Sequence, residues 1–352
     1  MTFGLLIVLA MIFILPFAFR KIEHNLEYFL LVMGVAATLI SQTLTSHLVI
    51  EILENRLIYF ITAAVLIAGL VFRVSVNKIK SFVAYSINKI PLSVFLFLLI
   101  VVLGFLSSLI TAIIAALILV EMVHALPLSH DKKVKLTIIS CFSIGLGAAL
   151  TPIGEPLSTI VVSSLHADFL YLFSCIGGFA IPGIIVLGLF GGFYVGRQGT
   201  VQLDVNVSKE ESDEEEKNIV EMESLKEVFI RAVKIMLFVI ALELLGSGFK
   251  PLINEYILNL NGQTLYWINM CSAVLDNATI AAAEISPAMS LKQIQAVLMG
   301  LLISGGMLIP GNIPNIISAG KLNIKSREWA KFGVPLGLVL MAIYFVIIFV
   351  IV

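Results

Sequence analysis

Pro152 and Pro156, four positions apart, enclose Gly154 and Glu155 in the stretch TPIGEP, which interrupts an apolar run from 133 to 165. A second apolar run, 290 to 320, is interrupted in the same manner at IPGNIP by Pro310, Gly311 and Pro314. Each backbone group freed by such a break is costly in hydrocarbon unless protein or a bound species satisfies it. A kink relieved by neighbouring helices would account for one proline. It does not account for a P-x-x-x-P break that recurs beside polar residues in both halves, so the breaks read as a binding site.

Four carboxylates lie in or near the apolar elements: Glu121, Glu155, Asp276 and Glu284. An ionisable group within a span marks a functional position by default, because burying it is expensive. Glu155 sits in the first break, and Asp276 falls at the centre of the apolar stretch 263 to 286, within VLDNATI. Asp276 also suits the N-cap of a helix beginning at Asn277, which leaves ion binding open. Glu121 and Glu284 lie a turn or more from these centres, as candidate proton relays or salt-bridge partners. His124 reads as an interfacial histidine.

Around the two leading acids stand Ser107, Ser108, Thr111 and Thr151 in the first half, and Asn277, Thr279, Asn312 and Asn315 in the second. Hydroxyls, amides, carboxylates and unwound carbonyls are the ligands a hard cation accepts in place of water. Neither break nor either polar centre contains Arg or Lys, and two carboxylates would repel an anion. The expected ligand is a monovalent cation held by Glu155, Asp276, Asn277, Thr151, Thr279, Ser108, Thr111, Asn312 and Asn315. It is cargo, and the pattern calls for no cofactor. Cys141, Cys175 and Cys271 lie in apolar segments without metal-ligand spacing, and no nucleophile–base pair suggests an enzyme.

The elements that must position these groups follow from composition. With 59% hydrophobic residues and a mean hydropathy of +1.06, the 352-residue chain reads as an all-α polytopic membrane protein of the cell membrane. Its 22 basic and 23 acidic residues nearly cancel, which offers nothing to nucleic acid; the expected partners are the bilayer and small ions. Runs of spanning length are 3 to 19, 26 to 48, 57 to 73, 133 to 165, 169 to 196, 229 to 249, 290 to 320 and 332 to 352, which gives about eight spans. The first, followed by Arg20 and Lys21 with no cleavage site, reads as a retained helix.

Two stretches remain, 91 to 127 and 263 to 286, each with a polar centre. Basic residues in short loops mark the cytoplasmic side. Only if both stretches enter and leave on one side, as re-entrant helical hairpins, do all five basic clusters, at 20–21, 73–89, 132–135, 197–234 and 321–331, face the cytoplasm. Both termini then lie outside, as do 51 to 56, 166 to 168 and 250 to 262. The acidic segment 197 to 228, with SKEESDEEEKN at its centre, reads as a solvated cytoplasmic linker.

SLITAIIAAL (108 to 117) aligns with VLDNATIAAA (274 to 283), and GAALTPIGEPLSTIV with GGMLIPGNIPNIISA, bringing Pro152 and Pro156 onto Pro310 and Pro314. The predicted organisation is N-terminal helices to residue 56, a first repeat from 57 to 196, the linker, and a second, inverted repeat from 229 to 352. Such inverted-topology repeats are the signature of secondary transporters, whose sites lie where broken helices meet.

These motifs, TPIGEP with its polar hairpin and LDNATIAAAEI with GGMLIPGNIPNIISAG, resemble the ion transporter superfamily of divalent anion/sodium symporters, arsenite permeases and sodium/proton antiporters. Over roughly 57 to 352 the chain is most similar to the antiporter branch and to a small prokaryotic family of unassigned function beside it. The anion symporters usually carry Ser-Asn-Thr at both tips, where this chain has SSLIT and LDNAT. The antiporter branch typically has an acid after PIG and Asp-Asn at the second tip, matched here by Glu155, Asp276 and Asn277. The resemblance implies a homodimer with a scaffold and a mobile transport domain moving as an elevator. The leading expectation is a sodium or lithium/proton antiporter. The alternative is a sodium-coupled permease for an anion or neutral oxyanion, and a channel or a membrane scaffold fits the paired breaks least.

Overall fold

A computed structural model describes residues 1–19, 25–55, 91–126, 128–196, 225–252, 260–273 and 277–351, with isolated positions at 22 and between 58 and 70. The described residues form helices and connecting turns, with no strand among them, so the fold is all-helical. Most of the expected span at 57 to 73, the basic cluster at 73 to 89 and most of the acidic linker lie outside the described residues, as does Asp276.

The N-terminal part comprises α1 (Thr2–Ala18), α2 (Leu26–Ile40) and α3 (Ser46–Glu54). The run expected as one span from 26 to 48 is therefore divided. Helix α2 ends at Ile40, Gln42 takes a left-handed φ of 59°, and Thr45 Oγ1 accepts a bond from Leu48 N to cap α3. Hydropathy alone did not register this capping threonine.

Next come α4 (Leu92–Ile110), α5 (Ala112–Ala125), α6 (His130–Ala148), α7 (Pro156–Ser164) and α8 (Tyr171–Gly196). After the linker, α9 (Leu225–Leu252) leads to α10 (Gly262–Ile268), a 3₁₀ turn (Asn269–Ala273) and α11 (Asn277–Glu284). Helix α12 (Leu291–Gly305), a 3₁₀ turn (Ile309–Gly311), α13 (Ile313–Lys321) and α14 (Ser326–Val346), which continues as a π turn to Ile351, complete the chain. Helices α4, α8 and the 326–351 segment are long and apolar enough to cross a membrane, which is consistent with a membrane protein. Val94, Leu98, Val102 and Leu109 of α4 and Ile185, Val186, Leu189 and Phe193 of α8 are exposed apolar residues of the kind lipid would cover.

Contacts between helix ends order the bundle. Lys133 Nζ donates to His124 O at 3.2 Å, joining the end of α5 to the start of α6, and His130 Nε2 lies 3.4 Å from Glu328 Oε1 at the start of α14. Gly196, closing α8, packs on Ser93 at the start of α4, and Lys135 Nζ sits 5.6 Å from the Tyr194 ring. One end of the bundle thus gathers the starts of α4, α6 and α14 with the finishes of α5 and α8. Helix α12 begins at the opposite end, where Gln295 Nε2 donates to Cys175 O near the start of α8 at 2.8 Å.

Packing within the two parts follows one pattern. Helix α4 packs on α6 and α6 on α8; likewise α10 packs on α12 and α12 on α14. The second arms cross over, with α7 against α11 and α13 against α5. Helix α9 lies along α2 and also touches α7 and α11. A Lys234–Glu27 ion pair at 2.7 Å ties α9 to α2, with Glu27 only 8% exposed. Pairing offsets the desolvation cost that either charge alone would carry there.

Candidate functional site

The first tip is a single residue, Thr111, at φ 80° and ψ 149°. A β-branched residue at positive φ is unfavourable, so the surroundings must hold it. Ala112 N donates to Gly154 O at 2.7 Å, Thr151 Oγ1 donates to Ser108 O, and Thr111 Oγ1 accepts from Ile114 N at 3.5 Å. The hairpin tip and the broken helix are therefore one hydrogen-bonded unit. Ser107 Oγ adds bonds to Gly104 O at 2.6 Å and Ile144 O at 2.9 Å, fastening α4 to α6.

Backbone groups freed between Ala148 and α7 find partners within the break. Thr159 Oγ1 donates to Pro152 O at 2.6 Å and Ser158 Oγ to Ala148 O at 3.2 Å. Gly154 is pressed onto Ala148 O, leaving no room for a Cβ. Glu155 is the N-cap residue of α7, extended at φ −156° and ψ 163°, and only 5% exposed. Its carboxylate does not cap the helix it precedes. It lies at the positive end of a half-helix dipole, where an anion is stabilised.

The second break is built alike. Asn312 is the N-cap residue of α13, 3% exposed, and its Oδ1 accepts from Ile313 N at 2.9 Å. Asn315 Nδ2 donates to Gly305 O and Leu308 O, both at 2.8 Å, while its buried Oδ1 has no hydrogen-bond partner among the described residues. A Cβ on Gly311 would lie 2.6 Å from Gly305 O. Asn277 opens α11, is 3% exposed, and has an Nδ2 without a partner among the described residues, close to Gly305.

These details correct the proline alignment by one residue. Ala148 pairs with Gly305 as the last residue of the first half-helix, Gly154 with Gly311 as the glycine pressed on that residue's carbonyl, and Ser158 with Asn315 as its side-chain donor. In this register Glu155 corresponds to Asn312, so a carboxylate in one half answers a carboxamide in the other. Pro156 and Pro314 are not in the breaks; they occupy the first turn of α7 and α13, where a fixed φ suits helix initiation.

The two parts meet along α6. Asn312 Nδ2 lies against Gly145, Gly306 against the Phe142 ring, and Cys141 Sγ is 3.6 Å from both Pro314 O and Ser318 Oγ. Of the expected cation-binding set, Ser108, Thr111, Thr151, Glu155, Asn277, Asn312 and Asn315 are all buried, in the tips, breaks and half-helix starts. The Thr279 side chain lies outside the description along with Asp276. Glu121 stands about 15 Å along α5 from its tip. Glu284, the last residue of α11, accepts from Asn269 Nδ2 at 2.9 Å, tying together the two arms of the second hairpin.

Two polar positions, one fully buried and one half-buried, went unmarked in the sequence. Asn269 is fully buried, its carbonyl accepts from Ser304 Oγ at 2.7 Å, and its Oδ1 has no partner among the described residues. Glu243 of α9 accepts from Ser163 Oγ of α7 and from Asn55 Nδ2 at 2.9 Å. As a carboxylate inside the apolar run 229 to 249, Glu243 met the criterion that singled out Glu155.

No curated protein matches the chain. The model of a family described as a protein of unknown function, DUF1646, matches residues 2–351, and the chain therefore belongs to the DUF1646 family.

Proposed function

We infer that the chain is a multi-pass secondary transporter of the cell membrane that exchanges sodium or lithium for protons. The observation carrying this reading is Glu155: a buried carboxylate at the cap of a half-helix, inside a helix break bonded to a hairpin tip. A buried carboxylate is stable when neutralised by a proton or paired with a cation. One group that takes either is sufficient for exchange. Asp276 and Asn277 at the second tip, with Asn312 across α6, complete the proposed coordination, while Thr151, Thr279, Ser108, Thr111 and Asn315 hold the unwound backbone or add oxygens.

The crossed packing of α7 on α11 and α13 on α5 supports an inverted repeat, as do the opposite starting ends of α6 and α12. In this reading α4–α5 and α10–α11 are the re-entrant hairpins, and α1, α2 and α9 belong to a scaffold against which the remainder moves in a homodimer. The end that gathers Lys132, Lys133, Lys135 and Arg327 faces the cytoplasm, along with the linker, and the termini face outward. Single cysteines at Lys89 and Lys132 are accordingly expected to react with an impermeant maleimide only from the cytoplasmic side. Reaction from opposite sides would remove the first hairpin and the inverted repeat with it. The function itself is tested by sodium-driven proton movement in vesicles.

A further inference from the structure

Thr159 and Ser163 lie four apart on α7 and so share one face of it, and Glu155, the extended residue that precedes α7, stands four positions before Thr159 at the head of this stripe. All three are buried, with Thr159 4% and Ser163 1% exposed. The stripe starts at the break and runs toward the end of α7 where Ser163 Oγ donates to Glu243 Oε1. Asn55 Nδ2, just beyond α3, donates to the same oxygen. One carboxylate oxygen thus joins α9, α7 and the end of α3, while Oε2 takes part in neither bond. Its titratable neighbours among the described residues are Glu51 on α3 and His166 just past α7, both exposed. Glu284 of α11 is engaged by Asn269, and Glu27 of α2 by Lys234.

The geometry points to Glu243 as the proton port of the Glu155 site, serving the face opposite the basic end. This rests on the exchanger reading above and adds a second carboxyl to it. A proton from outer water binds Glu243 at Oε2, which leaves both bonds at Oε1 intact. It passes to Glu155 when Ser163 Oγ turns from donor to acceptor of Glu243 and sends its own proton through bridging water to Thr159 Oγ1, which exchanges its bond to Pro152 O for one toward Glu155; both hydroxyls then return to their resting bonds, so nothing is consumed. Successive side chains on the stripe are about 6 Å apart along the axis, a gap that one water molecule bridges. Sodium has no use for this path, because hydroxyls a turn apart offer it no shell of ligands.

Sodium and proton steps can be separated in proteoliposomes carrying the full chain. Glu243→Gln keeps an acceptor oxygen for Ser163 and Asn55 but cannot carry a proton through. The variant is expected to retain exchange of labelled sodium for unlabelled sodium, while sodium/proton exchange falls by about a hundredfold. Added formate, a small proton carrier, should recover part of the lost rate. Should Glu243→Gln fail to reach the membrane, Ser163→Ala is expected to give the same split. Unchanged sodium/proton exchange would overturn the port. So would equal loss of both modes in a folded protein, since that marks a merely structural bond. Absence of sodium self-exchange in the unmodified chain would overturn the transporter reading itself, and the port with it.

Discussion

Glu155→Gln protein is expected to reach the membrane folded and to exchange no sodium for protons. The amide matches the carboxyl in shape, and the bonds that fix the break, from Ala112 N, Thr151, Ser158 and Thr159, involve other groups and remain. What disappears is the negative charge. Losing one member of a desolvated charge pair costs about 2–5 kcal/mol, so sodium affinity should fall by roughly 30-fold to several thousandfold. Proton exchange ceases as well, because an amide cannot take up and release a proton in this range. Sodium binding by calorimetry and sodium-driven proton flux should therefore fail together, with an unchanged elution profile in detergent. Normal flux in this variant would remove Glu155 from the site.

Acidification is expected to raise the apparent sodium KM, by up to about tenfold per pH unit when one proton competes with one sodium ion. The sign follows from the shared carboxylate: protonation neutralises it, so lower pH leaves fewer sites for sodium, and higher pH frees them until protons no longer compete. Maximal rate changes much less at first, since saturating sodium displaces the proton. Glu155→Asp sharpens the result. It keeps the charge but draws the oxygens back by one methylene, so sodium affinity should fall more than proton affinity. A KM that stays flat from about pH 6 to pH 9, with robust transport throughout, would show that sodium and protons occupy different sites.

Both expectations rest on residues that stood out before the fold, and the reason is physical. A carboxylate, prolines and a glycine inside an apolar run violate the rules for a spanning helix, and such violations stand out against an apolar background. The helical architecture followed from the same background, and α1, α8, α9 and α14 with its π turn fall on the runs expected for them to within two residues or extend beyond them. The division of 26 to 48 did not follow, because it depends on Thr45 and a left-handed Gln42 within an otherwise apolar stretch. Register between the halves was misread for a different reason. Proline at either the first or second position of a helix serves equally, so Pro156 and Pro314 do not mark equivalent places. The marks that do, a glycine pressed on a carbonyl and a side-chain donor four residues later, are contacts, visible only once the chain is folded. Asn269 was hidden in the same way, since one amide in an apolar segment gives no signal until its partner Glu284 is known.

The central claim is that one buried carboxylate site trades sodium for protons, and proton release on sodium addition measures this most directly. Purified protein in sealed vesicles, with a pH-sensitive dye inside and no permeant anion beyond chloride, is given a pulse of sodium outside. The account predicts prompt alkalinisation of the lumen as sodium enters and protons leave, absent from protein-free vesicles and from those carrying Glu155→Gln. A silent dye, together with sodium-dependent uptake of a labelled anion by the same vesicles, would contradict it and assign these acids to holding a coupling ion for anion transport.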